Sequence, residues 1–448
     1  MSLTSIFPSL GKLNRRNIVM FLALLGPGII TANVDNDAGG ITTYSLAGAQ
    51  FGMSLLWMML PTTVALVVIQ EMCARMGAVT GKGLADLIRE SFGVKITFYV
   101  MIALLLTNLG NTVSEFAGIA ASMELFGVSK YISVPLGAIA VWLLIVKGSY
   151  RIVEKVFLVA CVVYVAYPVA AFMSGPDWGE VLRASAVPDM HVTPSSVTMM
   201  IGVIGTTIAP WMQFYQQASV VEKGITKENY NFSRLDVIVG CVMAIVVAFF
   251  IVVACAATIF KAGIKIETAA DAAMALTPLV GEYATGLFAV GLFNASLFAA
   301  CVLPLSTSYY ICEGMGWELG VDKDFSEAPQ FFWLFTLIIG ISAGIILWPE
   351  APLIAIMYLS QVVNGAVLPF VLIFMLRLIN DKRLMGDYVN GPVFNVIAWG
   401  TVVIVMGLTL IMTRSHPPGL HRPAHGQVSR TPALACCAGQ KKPPGPSL

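Results

Sequence analysis

Two carboxylates and a pair of glycines interrupt the first apolar stretch of this chain. Asp35, Asp37, Gly39 and Gly40 lie within an otherwise apolar run from 18 to 49. A carboxylate at bilayer depth costs roughly 2.5 to 3.5 kcal/mol on insertion scales, so a sequence that keeps one generally uses it. The glycines allow the backbone to leave the helix, and unwound backbone in a membrane is tolerated only where protein covers it or it lines a watery cavity. This pattern is typical of a cation site.

A second interruption falls in the middle of the sixth apolar stretch. The segment from Gly202 to Trp211 includes Gly205 and Pro210, inside the run 197–219. If the first five spans and the next five form inverted repeats, the two breaks occupy equivalent positions, which indicates a midplane binding site in a secondary transporter. Each break alone also has a structural interpretation, as a proline kink or as a hydrogen-bonded aspartate. Their pairing favours a binding site.

The elements that must position these breaks are membrane-spanning helices. Hydrophobic residues make up 57% of the chain and charged residues 11%, against roughly 45–50% apolar and 25% charged residues in soluble domains. We therefore predict an all-α polytopic membrane protein, and the net charge of +1 gives no reason to expect a nucleic-acid partner. Eleven spans are expected, near 18–49, 53–74, 96–122, 131–147, 152–173, 197–219, 235–260, 283–312, 330–349, 351–376 and 393–413.

The distribution of basic residues predicts the orientation of these spans. Lys and Arg concentrate in the N-terminal segment and in alternate loops, whereas the opposite side carries only Lys130, Arg183, Lys261 and Lys265. By the positive-inside rule we expect a cytoplasmic N-terminus and an external C-terminus, in the cell (inner) membrane of a prokaryote.

The expected domain organisation follows from the same runs. It comprises a cytoplasmic segment 1–17, a transporter domain 18–413 and a tail 414–448. Within the transporter domain, repeat one covers about 18–173, repeat two about 197–376, and an extra helix 393–413. The tail is rich in proline and poor in large apolar residues, so we expect it to be disordered and assign it no function.

Short motifs recur along the chain. They are Gly26-Pro27-Gly28, Asp37-Ala38-Gly39-Gly40, Ala47–Gly52, Ser54–Trp57, Ala74–Asp86, Ser114–Gly118, Ser360–Val363, Leu368–Phe370 and Met385–Asn390. Through these motifs the chain resembles the NRAMP family of divalent-metal transporters over nearly its whole length to residue 413. The resemblance implies the LeuT-type fold, with two inverted five-helix repeats and an eleventh helix. It also implies alternating access around an ion held between the unwound parts of helices 1 and 6.

The chain departs from the family pattern at the site itself. Asp37 keeps the carboxylate of the family's Asp-Pro-Gly-Asn motif, but Gly40 replaces its amide. In helix 6, Thr206 stands where the family has an alanine whose carbonyl faces the metal, and Ala209 replaces a methionine thioether. Loss of a soft ligand leaves oxygen donors and a larger cavity, which suit a partly hydrated Mg²⁺. This pattern is similar to the NRAMP-related magnesium transporters, whose members carry Mg²⁺ and also Mn²⁺.

Most side chains that the resemblance links to proton movement are absent. Glu115 is retained, but Thr112 stands at a second acidic position of helix 3, and Trp211 and Gln216 stand at two histidine positions. We therefore expect transport without proton coupling. Glu115 also fits a structural, hydrogen-bonded glutamate.

Four side chains are expected around the ion or its pathway and not as its direct ligands. They are Asp35, Gln361, Glu115 and Trp211. By resemblance Gln361 fits an outer-shell ligand, although a hydrogen bond between helices is an equal alternative. Asp35 is expected to tune the site through its charge.

Other function classes fit parts of this pattern. The nearest are a proton-coupled Mn²⁺/Fe²⁺ transporter of the same family and a Na⁺-coupled amino-acid transporter of the same fold, although Asp37 would repel the substrate carboxylate of the latter. An intramembrane hydrolase would need a histidine pair, an aspartate dyad or a Ser/His arrangement within the spans. The predicted spans contain no histidine, so we expect no enzyme activity and no cofactor. A channel is a further open alternative. The chain is expected to act as a monomer in the lipid bilayer.

Overall fold

The computed structural model describes residues 31, 34–147, 161–189, 193–321 and 323–415, and these residues form helices and connecting turns without a strand. The α-helices are α1 (Ala38–Phe51), α2 (Met59–Thr80), α3 (Leu84–Phe92), α4 (Val94–Glu124), α5 (Lys130–Val146), α6 (Ala166–Met173), α7 (Trp178–Ala186), α8 (Pro194–Thr207), α9 (Pro210–Glu222), α10 (Tyr230–Cys255), α11 (Ala269–Ala273), α12 (Thr277–Val280), α13 (Ala284–Met315), α14 (Pro329–Ile346), α15 (Leu353–Ile379), α16 (Lys382–Met385) and α17 (Pro392–Ser415). Short 3₁₀ turns lie at Leu56–Met58, Cys161–Val165, Met274–Leu276, Gly281–Tyr283 and Gly386–Tyr388, and a π turn at Ala256–Phe260.

Each predicted span has a helical counterpart in these parts of the chain. Eight of the helices described have the length and composition to cross a membrane, and two shorter apolar helices, Lys130–Val146 and Val163–Met173, accompany them. The second half of the broken first span is α1, while the segments 1–17 and 416–448 lie outside the described residues. The protein is a multi-pass integral membrane protein. Its orientation and its domain limits stay predictions.

The second helix ends later than the sequence predicts. The expected span was 53–74, but α2 runs from Met59 to Thr80. Arg75 therefore lies within the helix, fully buried, with Nη2 3.1 Å from Glu71 Oε2. Its Nη1 also donates to the carbonyl of Tyr388 at 2.9 Å, in the segment between α15 and α17. Because the Arg75 charge is paired with Glu71 and hydrogen bonded to this segment, the helix can continue past it.

Glycines allow the closest helix crossings in the bundle. The long helix α4 packs along both α13 and α15, while α8 lies on α15 and α1 contacts α4, α8 and α15. A methyl group on Gly205 of α8 would collide with main-chain atoms of Gly365 in α15. Gly118 of α4 is similarly close to Ser296 of α13 and Ala38 of α1. Small residues at such crossings let backbones approach closely in a membrane, and here they bring both helix breaks beside α4 and α15.

Candidate metal site

The break in the first span immediately precedes α1. Asp35 and Asn36 form a turn, and Asp37 has an extended backbone (φ −72°, ψ −173°) before the helix begins at Ala38. Asp37 is the N-cap of α1, since its Oδ1 accepts a hydrogen bond from the N–H of Gly40 at 2.7 Å. The positive end of the helix dipole therefore faces this carboxylate. With 6% of its surface exposed, Asp37 is almost enclosed.

The break in the sixth span separates α8 from α9. Ile208 (φ −127°, ψ 64°) and Ala209 (φ −69°, ψ 141°) leave the helical conformation, and Pro210 takes the first position of α9. In a continuous helix the carbonyl of Thr206 would accept from the N–H of residue 210, and proline has none. With its nitrogen turned inwards, the amide of Gln213 donates to the carbonyls of Ala209 (2.5 Å) and Pro210 (2.8 Å). Because residue 210 is a proline, the carbonyl of Thr206 lacks the hydrogen bond that a continuous helix would give it.

The two breaks meet at Gly40. A methyl group on Gly40 would lie 3.2 Å from Thr206 Oγ1 and 3.4 Å from Asp37 Oδ1, and it would collide with the main-chain carbonyl of Asp35. The structure therefore brings Asp37, Gly40 and Thr206 together. It adds the hydroxyl of Thr206, whereas the sequence analysis considered only its carbonyl. The extra space expected at position 40 is absent in this conformation because the Asp35 carbonyl occupies it.

Two helices outside the breaks contribute polar side chains to the same place. Oε2 of Glu115 on α4 accepts a hydrogen bond from the N–H of Ala38 at 3.2 Å, and its charge interacts with that of Asp37. Gln361 on α15 packs against Gly39, where a methyl group would collide with its amide nitrogen. Glu115 and Gln361 are 0% and 2% exposed. Both therefore adjoin the first turn of α1 inside the bundle.

Asp35 is enclosed beside Asp37. It is 3% exposed, its Oδ1 has no hydrogen-bond partner in the part of the chain described, and its charge interacts with that of Asp37. The turn that holds it is fixed by its neighbours, since Tyr164 donates to the main-chain oxygen of Asn36 at 2.9 Å and Asn36 Nδ2 donates to the carbonyl of Ala244 at 3.3 Å. Tyr164 and Asn36 carry no sequence signal for this role, because each contact joins distant parts of the chain.

The positions expected to lack proton-relay groups have partners other than Asp37 in the described part of the chain. Thr112 donates to the carbonyl of Asn108 in its own helix at 2.9 Å. Gln216 Oε1 accepts a hydrogen bond at 2.9 Å from the hydroxyl of Thr31, which precedes the first break. The ring of Trp211 contacts the ring of Tyr215, one turn further along α9. None of the hydrogen bonds that the structure describes joins Thr112, Trp211 or Gln216 to Asp37.

The donors at the breaks are carboxyl, hydroxyl and main-chain carbonyl oxygens. Over the described ranges, no group of three or more His, Cys, Asp and Glu side chains is arranged to hold a metal ion. A cation at this place would therefore have fewer than three carboxylates among its ligands, with neutral oxygens and retained water as the others. Mg²⁺ is commonly held in this way, because it gives up its water reluctantly.

Comparison with known proteins identifies relatives along nearly the whole chain. A family model described as Natural resistance-associated macrophage protein-like matches residues 28–415. The divalent metal cation transporter MntH of Deinococcus radiodurans is 28% identical over 411 residues, covering 89% of this chain and 91% of the relative. MntH of Bacillus subtilis is 26% identical, covering 87% of this chain and 92% of the relative. These relatives are named as transporters and not as enzymes.

Solved structures share the fold. The crystal structure of the Eremococcus coleocola manganese transporter in complex with an aromatic bis-isothiourea compound has a TM-score of 0.76 at 22% identity, covering 93% of this chain and 91% of that chain. Mhp1, a nucleobase-cation-symport-1 family transporter, has a TM-score of 0.54 at 12% identity, with 88% and 94% coverage. At such identities the likeness concerns the fold alone. The expected LeuT-type fold, with inverted repeats, an eleventh helix and breaks in helices 1 and 6, is confirmed.

Proposed function

The chain belongs to the Natural resistance-associated macrophage protein-like family, and on this premise we propose that it is a divalent metal cation transporter that carries Mg²⁺ and Mn²⁺. The ion binds, partly hydrated, between the two helix breaks. Asp37 is its carboxylate ligand, and Thr206 supplies neutral oxygens. Access to the site alternates between the two sides of the membrane, and no proton moves with the ion.

The observation that carries this proposal is the chemical nature of the donors at the breaks. Around Gly40 they are the carboxylate of Asp37, the hydroxyl of Thr206 and the main-chain carbonyl of Asp35. Ala209 presents a methyl group where the family resemblance places a thioether. Hard cations favour oxygen donors, whereas thioethers favour softer ions. Relatives named as divalent metal cation transporters support the class of substrate, and the oxygen donors support its extension to Mg²⁺.

We expect Mg²⁺ to be transported and to compete with Mn²⁺. Competition should appear at about millimolar concentration or below, the range of weak sites in which the ion keeps several waters. Purified protein in liposomes that contain a metal-sensitive dye measures Mn²⁺ uptake as external Mg²⁺ is raised, and Mg²⁺ uptake is measured separately. If Mg²⁺ neither enters nor competes, the oxygen-site model is wrong.

Substitution at position 209 tests the ligand chemistry directly. Ala209→Met adds a thioether, and we expect it to shift selectivity from Mg²⁺ toward Mn²⁺ and Cd²⁺ by about tenfold. Ala209→Leu has a similar volume without sulfur, so it controls for overpacking at this buried residue. The same selectivity in both variants would contradict the model. Restoring an amide at Gly40 is a less clean test, since its Cβ would collide with the carbonyl of Asp35.

Transport without proton movement is the next expected result. The membrane potential supplies about 2.3 kcal/mol per charge per 100 mV, hence about 4.6 kcal/mol for a dication. Uptake into liposomes should therefore rise with an imposed inside-negative potential, while an entrapped pH dye reports no metal-dependent change. Metal-dependent acidification of the lumen would contradict uncoupled transport.

One contact favours the competing function, a proton-coupled transporter. Glu115 and Asp37 both lie at the first turn of α1, where their charges interact, and a proton bound by one of two neighbouring carboxyl groups would remove the repulsion between them. Binding of a cation at Asp37 would release that proton. Acidification that is present in the wild type and lost in Glu115→Gln would establish proton coupling through this pair. Acidification that persists in Glu115→Gln would point to another group.

A further inference from the structure

A series of buried side-chain amides leads away from the candidate metal site. It consists of Gln361 and Asn364 on α15 and of Asn111 and Asn108 on α4, and we call it the carboxamide ladder. Each of these side chains is at most 2% exposed. Polar groups inside a membrane bundle are costly, and they generally serve transport, binding or helix association.

Hydrogen bonds connect the carboxamide ladder without a gap. Asn364 Nδ2 donates to Gln361 Oε1 at 2.8 Å and to Asn111 Oδ1 at 2.9 Å, and Asn111 Nδ2 donates back to Asn364 Oδ1 at 3.0 Å. Asn111 Nδ2 also donates to Asn108 Oδ1 at 3.2 Å. Asn108 Nδ2 in turn donates to Thr307 Oγ1 on α13 at 2.5 Å. The ladder therefore links three helices.

The ladder extends from the site toward one face of the membrane. Asn111 and Asn108 lie one and two turns from Glu115 toward the N-terminus of α4, about 10 Å in all at 1.5 Å per residue. Thr307 and Asn364 lie on the C-terminal side of the site along α13 and α15. The distribution of basic residues predicts that this face is cytoplasmic. The other end of the ladder is Gln361, which packs on Gly39 in the first turn of α1.

The ladder offers oxygen acceptors without a formal charge. Side-chain amide oxygens accept hydrogen bonds from water, including water in the shell of a hydrated cation. A carboxylate on the same path would instead hold a dication strongly in a medium of low dielectric constant. In this structure each amide oxygen of the ladder accepts from the side-chain N–H of a neighbouring amide, and the reciprocal pair Asn111–Asn364 joins α4 to α15. The path is therefore closed in this conformation.

A reciprocal amide pair can also serve only to join two helices. Asn380 and Asn395 form such a pair between the ends of α15 and α17, with bonds of 2.9 and 3.0 Å. The Asn111–Asn364 pair differs because it is continuous with Gln361 and, through it, with the first turn of α1 at Gly39. The Asn380–Asn395 pair, which is only partly buried, therefore provides a control for the exchange of an amide for a carboxylate within the same chain.

We propose that the carboxamide ladder is the route by which a hydrated divalent cation passes between the Asp37 site and the membrane face predicted to be cytoplasmic. The Asn111–Asn364 pair is the point at which this route closes. When the route opens, water and the hydration shell of the ion replace the hydrogen bonds between the amides. This inference rests on the proposed function, since it requires a transported dication.

The test compares Asn111→Asp with Asn380→Asp in Mn²⁺ uptake by proteoliposomes. Both changes keep the shape of the side chain and place one carboxylate in a reciprocal amide pair. On the ion route the new charge slows release, so we expect Asn111→Asp to lower KM and the maximal rate together, each by at least about tenfold. Asn380→Asp should keep the wild-type values per folded protein. A purely structural defect would lower the maximal rate without lowering KM.

The outcomes separate this inference from the proposed function. If the wild type moves no divalent cation, both are overturned. If the wild type transports Mn²⁺ but Asn111→Asp keeps the wild-type KM, or matches Asn380→Asp, the route through the ladder is wrong and the proposed function stands.

A second measurement applies if Asn111→Asp does not fold. Thr307→Cys lies at the end of the ladder, and Ser342→Cys is equally buried on α14 away from it. Because the chain has eight cysteines of its own, labelling is compared with the wild type: a hydrophilic thiol reagent added during Mn²⁺ transport should label Thr307→Cys beyond the wild-type level and Ser342→Cys only to that level. Equal labelling of both variants, or labelling of neither, would overturn the route.

Discussion

Asp37→Asn is expected to abolish divalent-cation uptake without unfolding the protein. Asp37 is the carboxylate at the point where both helix breaks meet, beside Thr206. Asparagine is as good an N-cap as aspartate, so the bond from the N–H of Gly40 and the start of α1 are kept while the charge is lost. Initial rates of Mn²⁺ and Mg²⁺ uptake measure the loss, and the melting temperature of purified protein measures folding. Uptake at the wild-type rate would remove Asp37 from the site.

Asp35→Asn is the matched comparison, since it removes an equally enclosed charge two residues away. We expect it to weaken the apparent affinity, more strongly at low ionic strength, because the charge of Asp35 attracts cations to the site. Maximal uptake should persist, as Asp37 still holds the ion. Complete loss of uptake would make Asp35 a direct ligand, and unchanged affinity would assign it to structural hydrogen bonding.

Gly205→Ala is expected to disrupt the packing of α8 on α15. An added methyl group would collide with the carbonyl of Gln361 and with the main chain of Gly365, atoms that move only if a whole helix moves. Overpacking of a well-packed core costs about 1 to 3 kcal/mol, and we expect the upper end of this range here because main-chain atoms are involved. Both helices border the ion site, so uptake should fall with stability.

Thermal unfolding of purified protein measures this effect, with Gly340→Ala as the control. Gly340 lies on α14, and an added methyl group there meets open space. That variant should be at least as stable as the wild type, since alanine favours a helix over glycine by up to about 1 kcal/mol. If Gly205→Ala and Gly340→Ala have the same stability, the close approach of α8 and α15 is not required for the fold.

The sequence by itself determined the helices and the two breaks, and it predicts Asp37 as the carboxylate of the site. Apolar length, glycine and proline within a run, and a carboxylate at membrane depth are local properties, and each is read from the chain without knowledge of its tertiary contacts. The predicted end of the second span at residue 74 was wrong because Glu71 and Arg75, one helical turn apart, are a pair expected at the membrane interface. The burial of Arg75 depends on Tyr388, which is 313 positions away.

Only the tertiary structure decided which side chains gather around Asp37. The Thr206 hydroxyl near Gly40, the bond between Glu115 and the N–H of Ala38, and the packing of Gln361 on Gly39 join different helices. The bonds of the Asn111–Asn364 pair likewise span 253 positions. Such contacts depend on the rotation and crossing point of each helix. Close backbone contacts, such as the one at Gly205, determine both. An apolar helix buried on most sides has no dominant face, so its hydrophobic pattern does not specify that rotation.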